Sequence, residues 1–487
     1  MKTNAHTSAH DASDWFSPIL VKELRQGTRS RAFVWSFLAL HTVLLLLIVT
    51  SLISAASPHT DYDHDSITGF FWSLTGIPLL LVLPAVAFGS IKKEIDARTL
   101  DLIFLTRMTT LRIVFGKWAA LSLQGMLIVT AILPYMILRY FLGGIDLVDE
   151  LTILGCLVLG SLVLTAAGIG CSSITSRFFR VGLIIFVLLF LTQGLYMIPY
   201  WLFGTSGGFF SPGWTGPEFW LWVLFAAAVL IFLMLEFGAG RIAPPAENHA
   251  FRKRAAGLAL LAAALVFHYW HHPAWLALIL VAIPLTLICG EAINESIRPY
   301  AIVRRSRRAR GKGFPLWLRL FFAPGWPSGA VFSLLTAGIF LTVLVTGSNV
   351  EPEAILVVLC ICAAIFFPVA MIRLIAPATE RGTVFFLLIQ AVMICAGVSA
   401  LVIAEATYFN VTAIYQFLPI PVIMLLIGDH LTHSVLQVTY VMIFVNGLSL
   451  LILLALGRSQ LRRITAEDRI DIKEPASAAD ESLAAPS

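Results

Sequence analysis

Charged residues are scarce in this sequence. Only 13% of its 487 residues are Asp, Glu, Lys or Arg, while 59% are hydrophobic and the mean hydropathy is +0.88. Soluble domains carry about 25% charged residues, so this composition excludes an ordinary soluble protein. Apolar runs of about 20 residues, long enough for a helix to cross a bilayer, recur along the chain. The sequence therefore predicts an all-α, polytopic membrane protein.

Motifs for nucleotide and metal chemistry are also missing. No GxxxxGK[ST] pattern occurs, so the chain has no P-loop of its own, and neither HExxH nor CxxC occurs. The 6 cysteines lie in or at the ends of apolar runs without the spacing of zinc ligands, which favours small buried side chains. We predict no catalytic residue, no metal site and no cofactor in this chain, and we do not expect an enzyme.

Ionisable residues deep inside the apolar runs are few. His41 is the clearest, whereas four others fall near the ends of runs, where we expect the side chains to reach the interface. These four are Arg139, Glu236, Arg373 and Glu405. Transporters driven by protons or ions usually place carboxylates at mid-membrane, so their scarcity disfavours that class.

About twelve segments are predicted to cross the membrane. They are residues 32–55, 69–89, 118–142, 151–171, 181–203, 218–237, 255–270, 274–290, 329–345, 354–374, 383–404 and 435–456. With the N-terminus inside, all of the 33 Lys and Arg residues except Arg139 fall on the cytoplasmic side, as the positive-inside rule requires. Both termini are therefore predicted to be cytoplasmic.

Two cytoplasmic segments divide the chain. Residues 238–254, rich in Gly, Pro and charge, are predicted to form a linker between a six-span core at 32–237 and a second membrane half at 255–456. Residues 297–328 are strongly basic. Membrane topology and anionic lipid explain that basic run better than nucleic acid, which we do not expect as a partner.

Three further segments have distinct compositions. Residues 1–14 lack the basic region and cleavage site of a signal peptide, so we expect the first span to be retained. Residues 413–427 are apolar but contain two prolines, and a crossing there would place the C-terminal arginines outside; we interpret them as re-entrant. Residues 457–487 are predicted to be a disordered cytoplasmic tail.

An amphipathic segment, within the cytoplasmic residues 1–31, precedes the first span. Ser17 can cap a helix whose first residue is Pro18, and an apolar face opposes a basic one. This pattern predicts a helix in the cytoplasmic interface, with its cations near anionic lipid. Its candidate residues are Lys22, Glu23, Arg25 and Arg29.

The loop at residues 92–117 mixes charges of both signs with apolar residues. These apolar residues recur at helical spacing: Leu100, Ile103, Phe104 and Leu111. Thr99 is a candidate N-cap with Asp101 near the positive end of the helix, and a second cap at Thr109 or Thr110 starts a helix into the next span. Such an amphipathic helix either docks on a soluble partner or rests on lipid headgroups.

These two segments resemble the membrane subunit of an ABC-2 type transporter. PILVKELRQGTRSR at 18–31 is similar to the family's interfacial helix, and KEIDARTLDLIFLTRMTTLRIVFGK at 93–117 is similar to its loop before the third span. The matching residues are Glu94, Thr99, Leu100, Gly116 and Lys117. Arg98 stands where Gly is usual and Asp101 where Glu is usual.

The resemblance implies that the loop is a coupling helix, which fits a groove on a separate ATP-binding subunit. That partner would bind ATP and Mg²⁺, and this chain would be the permease of an exporter in the bacterial inner membrane. Either one chain supplies both membrane halves, or a second copy of the chain or a second permease is a further partner. The implied coupling residues are Glu94, Thr99, Leu100, Asp101, Ile103, Phe104, Gly116 and Lys117.

Two other functions stay open at this point. A secondary transporter with twelve spans would bind its substrate at broken helices near the midplane. A scaffold that does not transport would use the same loop to recruit a cytoplasmic partner. The substrate is not indicated by the sequence.

Overall fold

The computed structural model describes most of the hydrophobic segments. The described residues are 18–56, 64–98, 109–142, 147–174, 217–243, 249–270, 274–295, 325–346, 352–375, 382–407, 416–420, 422 and 435–458. All regular secondary structure within them is helical. They form two compact units, and the chain passes from the first to the second after Ala263.

The first unit contains seven complete helices among its described residues. They are α1 (Pro18–Thr28), α2 (Arg31–Ala56), α3 (His64–Gly76), α4 (Leu83–Asp96), α5 (Thr110–Leu142), α6 (Leu147–Ser172) and α7 (Pro217–Ile242). The next helix, α8 (His249–Trp270), begins in this unit. The core of the unit is built from apolar side chains of α2 to α7, including Leu44, Leu83, Ile132 and Ile169.

The second unit contains five further helices among its described residues. They are α9 (Ala274–Asn294), α10 (Trp326–Thr346), α11 (Pro352–Ile375), α12 (Gly382–Thr407) and α13 (Val435–Arg458). Its core joins Leu356 and Cys360 of α11 to Val438 and Met442 of α13, all of which are buried.

Eight helices among the described residues are long and apolar enough to cross a membrane. They are Arg31–Ile53, Thr68–Asp96, Thr110–Phe141, Leu147–Ser172, Trp220–Ile242, Ile355–Ile375, Gly382–Ala400 and Val435–Arg458. Each coincides with one predicted span, so a polytopic helical membrane protein is confirmed. The predicted spans 274–290 and 329–345 fall on α9 and α10, whose described apolar stretches are shorter.

Several predictions concern residues outside the described part of the chain. The predicted span 181–203 lies there, as do nearly all of the basic loop 297–328 and of the tail 457–487. The re-entrant segment 413–427 is described only at residues 416–420 and 422. These four interpretations stay predictions.

The segment 238–254, predicted to be a linker, is described at both of its ends. α7 continues to Ile242 and α8 begins at His249, so helix occupies both ends of that segment. Gly238 does not break α7, because it lies against the backbone of Gly170 on α6, where the absence of a side chain allows close contact. The predicted span 255–270 is accordingly the later part of a longer helix, α8.

The second span changes its helical form partway along. Between α3 and α4 lies a π-helical segment, Ile77–Val82, in which the backbone N–H of Leu83 donates to the carbonyl of Pro78, five residues earlier. Pro78 and Pro84 lack the N–H groups that a regular α-helix would use at their positions. The two prolines therefore account for a local departure from the α-helical pattern in this span.

Candidate functional site

The described residues include the two stems of the candidate coupling loop. Glu94 lies in the last turn of α4, and Gly116 and Lys117 lie in the second turn of α5. Five predicted coupling residues lie outside the described part of the chain: Thr99, Leu100, Asp101, Ile103 and Phe104. The role of the loop itself therefore stays a prediction.

Residues next to the loop determine where α4 ends and where α5 begins. α4 ends at Asp96, and Arg98 follows with φ at 55°, the left-handed conformation that often terminates a helix. A residue with a Cβ adopts this conformation at a cost of about 1–2 kcal/mol, which glycine does not incur. On the other side, the carbonyl of Thr109 accepts from the N–H groups of Arg112 and Ile113, as expected of the predicted N-cap of α5.

Lys117 joins three segments of the chain. Its Nζ lies 2.8 Å from Oε1 of Glu23 on α1 and 2.9 Å from Oε1 of Glu94 on α4. Only 4% of the lysine side chain is exposed, compared with 21% for Glu23 and 15% for Glu94. We call these three residues the Lys117 cluster. The cluster brings together one residue of the predicted interfacial helix and two of the predicted coupling residues.

The charges of the Lys117 cluster depend on one another. An ammonium group removed from water loses hydration, and two close carboxylates compensate for that loss. The same two carboxylates would repel each other without the cation between them. The cluster therefore links α1, α4 and α5 through its charges only while all three side chains are present.

Glycines allow α1 to lie directly against α5. A Cβ at Gly116 would lie 3.2 Å from Cγ2 of Ile19, which is tighter than most such contacts. Gly27 faces the buried side chain of Gln124 so closely that a Cβ there would collide with it. Ile19 lies against Gly116, and Gly27 lies against Gln124. Residue numbers therefore increase in the same direction along both helices, so α1 and α5 are parallel. Gly116, one of the residues that match the ABC-2 pattern, therefore allows α1 to pack closely on α5.

The cations singled out in the segment 18–31 face outward. Lys22, Arg25 and Arg29 are exposed, while Ile19, Leu20 and Leu24 are half-buried. This division agrees with the predicted basic and apolar faces. Glu23 is the exception among the candidates, since its carboxylate turns toward Lys117.

A second charged cluster lies where α7, α8 and the start of α5 meet. The fully buried Glu236 places Oε1 2.7 Å from Nδ1 of His249 and 3.6 Å from Nη1 of Arg252. Nε2 of His249 lies 3.5 Å from Oγ1 of Thr110, the first residue of α5. The prediction that Glu236 reaches the interface is therefore wrong, because His249 and Arg252 of α8 meet the carboxylate inside the protein.

A third cluster lies at the far end of α5. Nη1 of Arg139 lies 3.1 Å from Oε2 of Glu150 on α6, and Nη2 donates to Oγ1 of Thr68 at 2.7 Å. The guanidinium also stacks over the ring of Phe71, 4.3 Å from its centroid, and Nε1 of Trp72 donates to Oε1 of Glu150 at 3.4 Å. Arg139 was predicted to reach the interface, but only 3% of it is exposed. The one arginine that departs from the charge rule is ion-paired inside the protein.

The sequence carried an incomplete signal for these clusters. Glu236 is the only carboxylate in the segment 218–237 apart from Glu218 at its start, and Arg139 is the only cation that the predicted topology assigns to the outer side. Both observations mark unusual residues, but neither identifies a partner. His41 at mid-span contacts Tyr135 of α5, with Nδ1 3.2 Å from the phenolic oxygen.

The described residues contain no group of three His, Cys, Asp or Glu side chains placed as metal ligands would be. The eight long apolar helices among the described residues are those of a helical, polytopic membrane protein. Comparison with protein-family models, curated proteins and solved structures gives no match to this chain.

Proposed function

We propose that this chain is the permease subunit of an ABC-2 type exporter, located in the bacterial inner membrane with both termini in the cytoplasm. A separate subunit binds ATP and Mg²⁺, and this chain supplies the path through the bilayer. The full set of about twelve spans belongs to this proposal. A second copy or a second permease completes the membrane part.

One observation supports the proposal above the others: the Lys117 cluster joins both stems of the loop to α1. Glu94 precedes residues 99–108 and Lys117 follows them, and their side chains lie 2.9 Å apart. A loop whose stems are tied in this way moves its two flanking helices together. This mechanical property suits a segment that receives a push from a soluble subunit.

The chain's own residues then transmit the motion in three steps. The partner presses on residues 99–108, and the displacement passes through Glu94 into α4 and through Lys117 into α5. Glu23 makes α1 follow α5. The second and third spans, which contain α4 and α5, tilt together and change access to the path.

The test is purification of the tagged chain from its native membrane in mild detergent, with mass spectrometry of the proteins that accompany it. We expect a stoichiometric P-loop ATPase with the unmodified chain, and its loss when Leu100, Ile103 and Phe104 are replaced by Asp. These loop residues are better targets than Glu94, because Glu94 also stabilises the fold through Lys117.

The matched control replaces exposed cations at the same end of the protein. Arg25→Gln with Arg29→Gln should leave the ATPase bound. If an intact, folded chain brings no ATPase from its native membrane, the exporter proposal fails and the secondary transporter or the scaffold takes its place. A bound ATPase whose turnover does not respond to any transported compound favours the scaffold.

A further inference from the structure

A groove of about 500 Å³ lies between α5 and α7 in the first unit. Its walls are apolar: Leu111, Phe115 and Trp118 from α5, and Ala228, Ile231 and Phe232 from α7. Phe115 is 52% exposed and Ala228 is also exposed, although both lie in helices apolar enough to cross a membrane. The groove therefore faces the surroundings of the unit and not its core.

One end of the groove is cationic. Arg112 and Arg252 line it there, together with the exposed Thr109 at the start of α5. Arg112 is exposed, and 48% of the Arg252 side chain is exposed. Glu236 approaches one nitrogen of Arg252 at 3.6 Å, but this carboxylate is fully buried and lies closer to His249. The groove thus presents positive charge outward.

The length of the groove matches one leaflet of a bilayer. Thr109 and Trp118 are separated by nine residues of helix, or about 14 Å at 1.5 Å per residue. Half of a hydrocarbon core about 30 Å thick is about 15 Å. An acyl chain that starts at the arginines can therefore lie along the apolar walls toward the bilayer midplane.

We propose that this groove binds one anionic phospholipid of the leaflet at the Lys- and Arg-rich end, which is predicted to be cytoplasmic. Arg112 and Arg252 bind the phosphate, the first turn of α5 adds backbone N–H groups, and an acyl chain lies between α5 and α7. Charge complementarity selects the headgroup, and the apolar walls select a lipid over a soluble phosphate. This inference does not depend on the partner ATPase.

The test is native mass spectrometry of the full-length chain in detergent, titrated with dioleoylphosphatidylglycerol or with dioleoylphosphatidylcholine. We expect one phosphatidylglycerol to be retained in preference to phosphatidylcholine. Since each cation near a lipid surface contributes about 1 kcal/mol, Arg112→Gln should weaken phosphatidylglycerol binding about fivefold, and the Arg112→Gln, Arg252→Gln pair about thirtyfold.

Two further variants separate the groove from general surface charge. Ala228→Trp fills the apolar wall and should reduce binding at least as much as Arg112→Gln, with both arginines intact and the fold little disturbed at this exposed position. Lys93→Gln with Arg98→Gln removes two exposed cations outside the groove and should leave binding unchanged. Equal retention of the two lipids, or unchanged binding in Arg112→Gln and Ala228→Trp, would overturn the inference.

Discussion

At the scale of single residues, Lys117 has an unusual position because its buried ammonium has carboxylate partners on two other helices. Glu23 lies 94 positions earlier in the chain and Glu94 lies 23 positions earlier, yet both oxygens are within 2.9 Å of the same nitrogen. Each carboxylate stays partly exposed, so water shares in stabilising its charge. Only 4% of the Lys117 side chain is exposed, so water does not stabilise its ammonium group in the same way.

Lys117→Met should destabilise the protein by about 2–4 kcal/mol, because it leaves two neighbouring carboxylates without their cation. The measurement is reversible unfolding in mixed micelles, followed by helical circular dichroism. Adding Glu23→Gln to Lys117→Met should recover part of the loss, since it removes one of the two repelling charges.

Lys92→Met is the matched control for that prediction. Lys92 also pairs with an acid, Asp96, at 3.6 Å, but 27% of the lysine and 63% of the aspartate are exposed. An exposed pair of this kind contributes about 0.3–0.5 kcal/mol on a helix. If Lys92→Met and Lys117→Met lower the free energy of unfolding by similar amounts, burial does not determine how much each ion pair contributes to stability.

At the scale of helices, the small residues of the fourth span separate into two groups. Gly170 of α6 packs so closely on α7 that a Cβ would lie 2.5 Å from the carbonyl oxygen of Met234. Gly155, one of the same run of small residues, has nothing within 4 Å of such a Cβ. The small residues of α6 therefore allow close helix packing at some positions and leave others open.

Gly170→Ala should destabilise the protein by about 1–3 kcal/mol, because the new methyl group meets the backbone of α7, which cannot move aside as a side chain can. Gly155→Ala should be neutral or stabilise by up to about 1 kcal/mol, since alanine favours helix and has space. Thermal unfolding of the two variants in the same detergent compares them. Equal effects would show that helix propensity, and not contact with α7, governs both positions.

At the scale of the whole molecule, the distribution of cations predicts the topology. Of the 33 Lys and Arg residues, only Arg139 is assigned to the outer half of the membrane. That residue is ion-paired with Glu150, so it does not act as a free cationic anchor. The charge rule therefore continues to favour N-in, C-in and an even number of crossings.

Reporter fusions test this topology. A fluorescent protein fused after Ser487 should fluoresce, and alkaline phosphatase at the same point should be inactive, because both would be in the cytoplasm. Alkaline phosphatase fused after Thr60, beyond the first span, should be active and serves as the control. An active phosphatase after Ser487 would mean an odd number of crossings, with residues 413–427 the first candidate for the additional span.

The sequence alone determined the class of the protein and several local boundaries. A membrane span is recognised from the mean hydropathy of about 20 consecutive residues, so the eight long apolar helices could be predicted from the sequence of each segment alone. The start of α1 at Pro18 and a cap of α5 at Thr109 or Thr110 were also predicted from neighbouring residues, and the structure places that cap at Thr109. Glu23, Glu94 and Lys117 were each singled out, but in two separate motifs.

Only the tertiary structure decided which charged residues meet. Lys117 and Glu23 are 94 positions apart, and Arg139 and Thr68 are 71 apart, so no local pattern encodes these pairs. The same reason explains the wrong predictions for Arg139 and Glu236: a charge near the end of a span reaches water when it is alone but stays buried when another helix brings a partner. Hydropathy depends on neighbours along the chain, whereas burial of a charge depends on neighbours in space.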